Sequence, residues 1–284
     1  MSSRGSVRAA VRSLVGAADI EVIPLKGAEE KVHAVPPGAT ITITCSPKFG
    51  LQRTLDHSAR AVRAGYRVVP HLAARQVAGE AELRAFVRRL TELGITGLYV
   101  IGGDAEEPAG EYSEAAEILD ALAGMEHGLT SIGIACYPEG HPKIGDEALI
   151  AALRRKQPHA HYMVSQLCFD PGALAGWLRR IRAEGIALPL HIGLAAPMSM
   201  RKLAELSLRI GVGASIRYLS KQHGVVGSML RGSSYRPEDL LLAMGDALTD
   251  PEMRVDALHL FSFNQVDATV AWQQRIVGGT AAHA

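Results

Sequence analysis

The sequence predicts an α/β fold, a single-domain (β/α)₈ TIM barrel in which eight parallel strands alternate with helices. Three observations predict this fold. Short runs of β-branched residues recur eight times along the 284-residue chain, and amphipathic helical patterns lie between most of them. Parallel neighbours need long crossover connections, which these helices supply. Eight such units over this length match a barrel, which typically takes about 250 residues.

The strand predictions follow the apolar, β-branched runs of the sequence. They cover, in chain order, residues 20–23, 40–44, 67–70, 97–101, 131–135, 161–165, 188–193 and 257–261. An open, doubly wound sheet would use the same alternation of elements. No G-x-G-x-x-G sequence opens a helix after the first strand, which weakens the nucleotide-binding version of that alternative.

The helix predictions follow apolar residues at helical spacing. One stretch carries Leu83, Phe86, Val87, Leu90 and Leu93 on one face and Arg and Glu side chains on the other. Further helices are predicted over residues 51–64, 113–123, 147–156, 174–181, 200–210, 237–248 and 264–276. The last crossover, residues 209–256, is longer than the others, and we expect an extra helix there with a loop around residues 224–236.

The composition excludes several classes of function. With 30 basic and 29 acidic residues the net charge is +1, which gives no support for nucleic-acid binding. No apolar run approaches the ~18 residues that a membrane span needs. Residues 1–17 are interpreted as an N-terminal extension without the apolar core of a signal peptide. The three cysteines lack metal-ligand spacing, so we expect a reduced, cytoplasmic protein with no metal site, built as one catalytic domain over residues 1–284.

Polar side chains concentrate where the predicted strands end. In a barrel, catalytic groups gather at the carboxyl ends of the strands, and burying such groups without partners is costly. The sequence therefore predicts an active site from residues embedded in or just after apolar runs: Glu21, Thr44, His71, Asp104, Tyr137, His141, Gln166, Asn264 and Gln265.

Each of these residues also has a purely structural interpretation. Glu21 is either a proton donor or an acid paired with an Arg or Lys near the barrel mouth. Asp104 follows two glycines, Gly102 and Gly103, that allow a close approach to a ligand, but it could equally cap the next segment.

The remaining polar candidates are open in the same way. His71 could be a core histidine, and Gln166 could make an internal hydrogen bond instead of contacting a heterocycle. The basic run Arg154, Arg155 and Lys156 is typical of a solvated helix end, with phosphate binding as the alternative.

Taken in order, these segments resemble the methylenetetrahydrofolate reductase family, in its short bacterial form. Ile134-Ala-Cys-Tyr-Pro-Glu-Gly-His-Pro142 is similar to that family's A-x-Y-P-E-x-H-P signature. Weaker similarities lie in Pro70-His-Leu72, in Ser165-Gln-Leu-Cys-Phe-Asp170 and in Leu258-His-Leu-Phe-Ser-Phe-Asn264. The resemblance runs from about Glu21 to Asn264, nearly the whole chain.

The resemblance implies a barrel that binds FAD and reduces 5,10-methylenetetrahydrofolate to 5-methyltetrahydrofolate, with NAD(P)H as the hydride source. It implies that Glu21 protonates the folate, that Asp104 stabilises the resulting cation, and that Gln166 contacts the pterin. Asn264 and Gln265 are further expected substrate contacts. The positions implied for the flavin are Thr44, His71, Gly103, Asp104, Ala135, Tyr137, His141, Arg155 and Lys156. Glu139 is expected to shape a loop, and the family's tendency implies a homo-oligomer.

The sequence departs from the family at several implied contacts. Gly102 stands where the family has an Arg, and Leu149 and Ala152 replace an Asp and an Asn ahead of its Arg-Lys pair. Other interpretations therefore stay open. They are a flavin-independent enzyme with direct hydride transfer from a nicotinamide, an enzyme that runs the reaction backwards, a lyase or aldolase that uses Lys156 as a Schiff-base amine, and a non-catalytic barrel.

Overall fold

The computed structural model describes residues 3–209 and 234–279. Within them, eight parallel strands hydrogen-bond in sequence order and close into a barrel, because β1 also pairs with β8. The strands are β1 Asp19–Val22, β2 Thr40–Ile43, β3 Arg67–Ala73, β4 Gly97–Ile101, β5 Ser131–Cys136, β6 Tyr162–Ser165, β7 Leu190–Ala195 and β8 Val255–Phe261. The predicted (β/α)₈ barrel is confirmed.

Helices surround the barrel. They are α1 Ser3–Gly16, α2 Ala28–Val32, α3 Gly50–Arg63, α4 Glu80–Glu92, α5 Ala115–Ala123, α6 Asp146–Lys156, α7 Pro171–Ala183, α8 Met200–Arg209, α9 Pro237–Met244 and α10 Val266–Val277. None of the helices within these two ranges is long and apolar enough to cross a membrane.

Element boundaries differ from the sequence-based predictions at several points. The strand predicted over residues 188–193 forms two residues later, as β7, and the helix predicted from residue 237 to 248 changes to 3₁₀ geometry after Met244. Within the described residues two α-helices were missed, α1 and α2. Most of the loop expected around residues 224–236 lies outside the described residues.

The missed helix α1 has a clear apolar face. Val7, Val11 and Val15 are four residues apart and buried, which is the spacing of one helix face. The helix packs against α10, and a Cβ built on Gly16 would lie 3.2 Å from Val277. Residues 3–16 therefore form a helix that contributes to the core.

Strand alternation divides the side chains between two sides of the barrel wall. In β1, Ile20 and Val22 belong to the main core between strands and helices, whereas Glu21 lines a cavity inside the barrel. This is the period-2 pattern of a strand. Across the wall Glu21 is in register with Thr42 of β2 and Phe261 of β8.

The barrel interior is filled below this cavity. Tyr99, Tyr162 and Val164 form a buried cluster, and Val69, Ile101 and Ala135 pack against it. Side chains in layers fill the centre of such barrels. The open space therefore lies above this cluster, at the carboxyl ends of the strands.

Candidate active site

A cavity of about 440 Å³ opens at the carboxyl end of the barrel. Its volume lies within the ~300–1,000 Å³ that small-molecule sites typically have. Its wall contains most of the predicted site residues. The lining consists of Glu21, Ile23, Thr44, Cys45, Ser46, His71, Tyr99, Ile101, Gly103, Asp104, Ala135, Tyr137, Gly140, His141, Pro142, Gln166, Phe261 and Phe263.

Glu21 is a buried carboxyl group on the cavity wall, with 6% of its surface exposed. Its Oε2 atom lies 3.1 Å from Nε2 of His259 and 3.8 Å from Nε2 of His71. The sequence analysis expected an Arg or Lys as the structural alternative, but the side chains that contact the Glu21 carboxyl group among the described residues are these two histidines. Glu21 thus combines burial, access to the cavity and a hydrogen-bonded imidazole.

His71 is held in its neutral form. Burial, and next the nearby His259, keep the pKa of His71 well below the usual value of 6.5. Its ring meets the ring of Tyr99 edge-on, with centroids 4.6 Å apart. Within the described residues its Nε2 atom has no hydrogen-bond partner. An unsatisfied buried nitrogen on a cavity wall is suited to contact a polar atom of a ligand.

The acid and the two histidines also bring their donor atoms close together. One donor atom each of Glu21, His71 and His259 lies within 4.8 Å of the others, a spacing that a metal ion could bridge. The sequence analysis expected no metal here, and that expectation stays a prediction. A proton-donating role for Glu21 requires its carboxyl group to be free of a metal ion.

The loop after β4 carries Asp104 to the rim of the cavity. Gly103 has a φ of +93°, which favours glycine, and a Cβ there would lie 2.9 Å from that of Ala73. The side chain of Arg75 fixes the loop by donating to the carbonyl oxygen of Ala105 at 2.6 Å. The Asp104 side chain is exposed and lines the cavity. A tight, braced turn therefore presents a carboxylate to a bound ligand.

Tyr137 and His141 form the wall that follows β5. Their rings meet edge-on with centroids 5.0 Å apart. Burial raises the pKa of Tyr137 to about 12, so its hydroxyl stays protonated and can donate. Burial lowers the pKa of His141, whose Nδ1 accepts a hydrogen bond from the Lys143 backbone at 3.2 Å.

Glu139, between these two residues, has a structural role. One carboxylate oxygen accepts hydrogen bonds from the backbone nitrogens of Phe169 at 2.6 Å and Asp170 at 2.8 Å. It therefore joins the loop after β5 to the start of α7. The expectation that Glu139 shapes a loop is confirmed.

Gln166 enters the cavity from the end of β6. Its side-chain oxygen accepts a hydrogen bond from the Leu167 backbone at 2.9 Å. This bond fixes the amide plane, so that the amide nitrogen is the group left to donate to a ligand. Thr44, Ala135 and Gly103 line the same space.

Two predicted substrate contacts lie outside the cavity lining. The Asn264 side chain accepts from the Ile23 backbone nitrogen at 2.8 Å and donates to the Ile23 carbonyl at 2.9 Å, which fastens the end of β8 to β1. Gln265 is the residue that precedes α10, and its amide nitrogen lies 4.0 Å from the sulfur of Met198. Contact of either residue with a substrate stays a prediction.

The two basic residues predicted to contact the cofactor, Arg155 and Lys156, also lie outside the cavity lining. Arg155 is on the exposed face of α6, where it pairs with Glu114 and, at 2.9 Å, with Asp120. Lys156 is buried and donates to the carbonyl oxygen of Ala135 at 3.2 Å, and burial lowers its pKa. Neither belongs to the cavity lining, so their role in cofactor binding stays a prediction.

The sequence analysis missed several residues of this site. Cys45, Tyr99, Phe261 and Phe263 line the cavity, and the ring of His259 is within hydrogen-bond distance of the Glu21 carboxyl group. The alternation of side chains along a strand could have found two of them. His259 and Phe261 are two residues apart in β8 and therefore point to the same side, and Phe261 is in register with Glu21 of β1. Tyr99 is the equivalent inward residue of β4.

Fold and site together define a barrel enzyme whose ligand cavity, at the carboxyl ends of the strands, carries a buried acid, a neutral imidazole and an exposed carboxylate. The family model for methylenetetrahydrofolate reductase matches residues 32–215. The chain belongs to the methylenetetrahydrofolate reductase family. Membership supports a folate-related reductase function.

Solved structures were also compared with the chain. One match is the crystal structure of a putative lyase/mutase from Burkholderia cenocepacia J2315, with 15% identity over 99% of this chain and 91% of that chain and a TM-score of 0.48. A similarity at this level carries no argument about activity.

The family is typically associated with a flavin, and the residues present fit the ring system of that cofactor. A cavity of this volume with Tyr and His side chains on its wall accepts a planar heterocycle, and the unpartnered Nε2 of His71 offers it a hydrogen bond. The cationic pair predicted for the cofactor does not lie on the same wall. FAD itself stays a prediction.

Proposed function

We propose that this protein reduces 5,10-methylenetetrahydrofolate to 5-methyltetrahydrofolate, with NAD(P)H as the source of the hydride. The observation that supports the proposal most is the Glu21 carboxyl group, which lines the cavity of a member of this family and lies 3.1 Å from His259. Reduction of the methylene bridge requires an acid and a hydride donor in one water-poor space, and the buried end of β1 supplies the acid.

Glu21 donates the proton that opens the five-membered ring of the folate. Protonation of a ring nitrogen converts the methylene bridge into an iminium cation, which is the species that accepts a hydride. His259 positions the carboxyl group, because its ring nitrogen is within hydrogen-bond distance of Oε2. Burial excludes the water that would otherwise compete for the proton.

Asp104 stabilises the cation that forms. Its carboxylate is on the same cavity wall and is held by a braced loop, so its charge is placed before the reaction begins. Gln166 donates from its amide nitrogen to the pterin, which orients the ring between the two acids. Glu21 lies in β1, and Asp104 and Gln166 follow β4 and β6, so the substrate would be held from three sides of the barrel.

The hydride must come from a cofactor, since no side chain can supply one. A bound flavin would accept a hydride from NAD(P)H and deliver it to the iminium carbon. His71, Tyr137 and His141 are the residues that would hold its ring, and the neutral state of His71 lets it hydrogen-bond without adding charge.

Direct transfer from a nicotinamide is the second candidate. It is favoured by the positions of Arg155 and Lys156, which are engaged by Glu114, Asp120 and the Ala135 carbonyl instead of facing the cavity. In this version the nicotinamide occupies the cavity together with the folate. The folate chemistry and the roles of Glu21 and Asp104 are unchanged.

Two measurements test these proposals. Purified protein, with and without added FAD, is incubated with 5,10-methylenetetrahydrofolate and NADH or NADPH, and 5-methyltetrahydrofolate is quantified by mass spectrometry. We expect product with at least one nicotinamide. A complete lack of product in all four combinations would refute the proposed reaction.

The second measurement separates the two hydride routes. NADH carrying deuterium at both C4 positions is used, and the label in the product methyl group is counted. Direct transfer retains the label, whereas passage through a flavin nitrogen exposes it to exchange with water. A coloured enzyme that loses the label supports the flavin route, and a colourless one that retains it supports direct transfer.

A further inference from the structure

The mouth of the cavity has opposite charges on its two sides. On the side of β4 and β5, Asp104 lines the cavity, Glu114 and Glu117 form the capping box of α5, and the first turn of α6 carries Asp146 and Glu147. Arg155, on this side, is already paired with two carboxylates. A diphosphate placed here would meet negative charge.

The opposite side, after β2, carries two cations on one aromatic ring. Lys48 Nζ lies 5.7 Å from the centroid of the Phe49 ring, and the guanidinium carbon of Arg53 lies 5.1 Å from it. No carboxylate of the described residues forms an ion pair with Lys48 or Arg53. Two like charges that share a ring and have no acidic partner form a preformed site for an anion.

This basic pair is directly connected to the cavity wall. The backbone nitrogen of Lys48 is 3.4 Å from the hydroxyl oxygen of Ser46, which lines the cavity together with Thr44 and Cys45. Arg53 donates through Nε to the carbonyl oxygen of Pro24 at 2.7 Å, next to the lining residue Ile23. The guanidinium is thus anchored by one nitrogen, and within residues 3–209 and 234–279 its other two nitrogens make no hydrogen bond, so they can meet a ligand.

We propose that Lys48 and Arg53 bind the diphosphate of a dinucleotide cofactor whose ring lies in the cavity. The cofactor then leaves the barrel over the loop between β2 and α3, and not over α6 as the positions of Arg155 and Lys156 in the sequence suggest. The inference rests on the proposed function only for the identity of the ligand class. It holds for a flavin or a nicotinamide dinucleotide, because both carry the same diphosphate.

Binding measurements test this site without relying on activity. The dissociation constants of FAD, NADH and NADPH are measured by calorimetry for the wild type and for Lys48→Ala, Lys48→Glu, Arg53→Ala and Arg53→Lys. Loss of one charge-assisted phosphate contact is expected to weaken binding about tenfold, and the Lys48→Glu charge reversal should weaken it further. Arg53→Lys retains the charge and should weaken binding less than Arg53→Ala.

The matched control is Lys143→Ala, which removes the same charge from the acidic side of the mouth. It should leave the dissociation constants unchanged, whereas a general effect of protein charge would change them equally. Higher salt should weaken wild-type binding more than binding by Lys48→Ala, because exposed charges are screened.

Three results would overturn the inference. One is unchanged dinucleotide binding in Lys48→Ala and Arg53→Ala. Another is that the Lys48 and Arg53 variants bind polyglutamated folate more weakly but bind the dinucleotides as tightly as the wild type, which would assign the two cations to the carboxylates of the folate tail. The third is a wild type that binds none of the three dinucleotides. Failure of the proposed function looks different, since dinucleotides would still bind but no methylated folate would form.

Discussion

The barrel interior contains two clusters of the same residue types in neighbouring layers, since Asp19 of one is in register with His259 of the other. The upper cluster, at the carboxyl end, comprises Glu21, His71, His259 and Tyr99. The lower cluster comprises Asp19, His191 and Tyr162, each in the first two residues of its strand. In the lower cluster His191 Nδ1 lies 3.6 Å from Asp19, and the rings of His191 and Tyr162 stack with centroids 4.2 Å apart.

The two clusters differ in what lies beside them. The upper one borders a cavity of about 440 Å³, and three of its members line it. The lower one is packed tightly, because a Cβ on Gly133 would come within 2.4 Å of the Tyr162 ring. An acid, an imidazole and a phenol therefore do not make a site by themselves. The neighbouring space decides whether they can meet a ligand.

The largest expected effect separates the two acids. Glu21→Gln should lower turnover by roughly 10²-fold or more, the usual scale for loss of a general acid. Asp19→Asn makes the same change of carboxylate to amide in the lower cluster and should leave turnover within about threefold, because Asp19 does not line the cavity. The measurement is the rate of methyl-folate formation at saturating substrate.

Stability measurements complete this comparison. Both variants are checked by thermal unfolding, so that a misfolded Glu21→Gln protein is recognised. Equal activity in Glu21→Gln and wild type would show that another group supplies the proton. An equal loss of turnover in Glu21→Gln and Asp19→Asn would show that the two clusters are not functionally distinct.

The next effect concerns packing of the lower cluster. Gly133→Ala places a methyl group against the Tyr162 ring and should lower the free energy of unfolding by about 1–3 kcal/mol, the usual cost of overpacking. Gly176→Ala is the matched control, because a Cβ at this exposed position of α7 meets nothing within 4 Å. It should stabilise the protein by roughly 0.5–1 kcal/mol, the difference between Gly and Ala inside a helix. Chemical denaturation measures both, and equal shifts would contradict the described packing.

A smaller effect is the pH dependence of stability from His71. Its pKa is lowered by burial and then by His259, so the unfolded chain binds a proton more readily than the folded protein. Stability from the neutral ring is complete above the ordinary value of 6.5 and is lost as the pH falls below it. The melting temperature should therefore decrease from pH 7.5 to pH 5, and less steeply in His71→Gln. A steeper decrease in the variant would show that His71 is not buried in its neutral form.

The smallest effect is expected at Cys45. Burial raises its pKa to about 12, so the thiol is protonated at neutral pH and is a weak nucleophile although it lines the cavity. Iodoacetamide should label it slowly at pH 7.5 in the folded protein, as measured by peptide mass spectrometry, and rapidly after denaturation. Cys45→Ser should retain most activity. Fast labelling of the folded protein would mean that the wall around Cys45 is open.

Sequence reasoning gave the barrel because strand and helix patterns repeat with the correct order and length. It also selected Glu21, His71, Asp104, Tyr137 and Gln166, because each lies in or just after an apolar run, and all five line one cavity. These residues are determined by local pattern and by the general rule that strand ends meet in a barrel.

The remaining features depend on contacts that no local pattern contains. Arg155 points outward from α6, and it therefore pairs with Glu114 and Asp120 and does not line the cavity. The role of His259 depends on pairing between the first and last strands. The side-chain amide of Asn264 is hydrogen-bonded to the Ile23 backbone. Helix α1 was missed because its apolar face consists of valines four residues apart among small and basic residues.

The Asn264 amide joins residues 241 positions apart, across the β1–β8 seam. A contact between residues this far apart in sequence is among the last to form when the chain is synthesised from its N-terminus, because the barrel cannot close until β8 is present to pair with β1. The acid of β1 and the imidazole of β8 therefore meet only in the final step of assembly. Until β8 pairs with it, β1 is an unpaired edge strand that can pair with other chains and cause aggregation. Closure of the barrel therefore completes the site and removes this exposed edge in the same step.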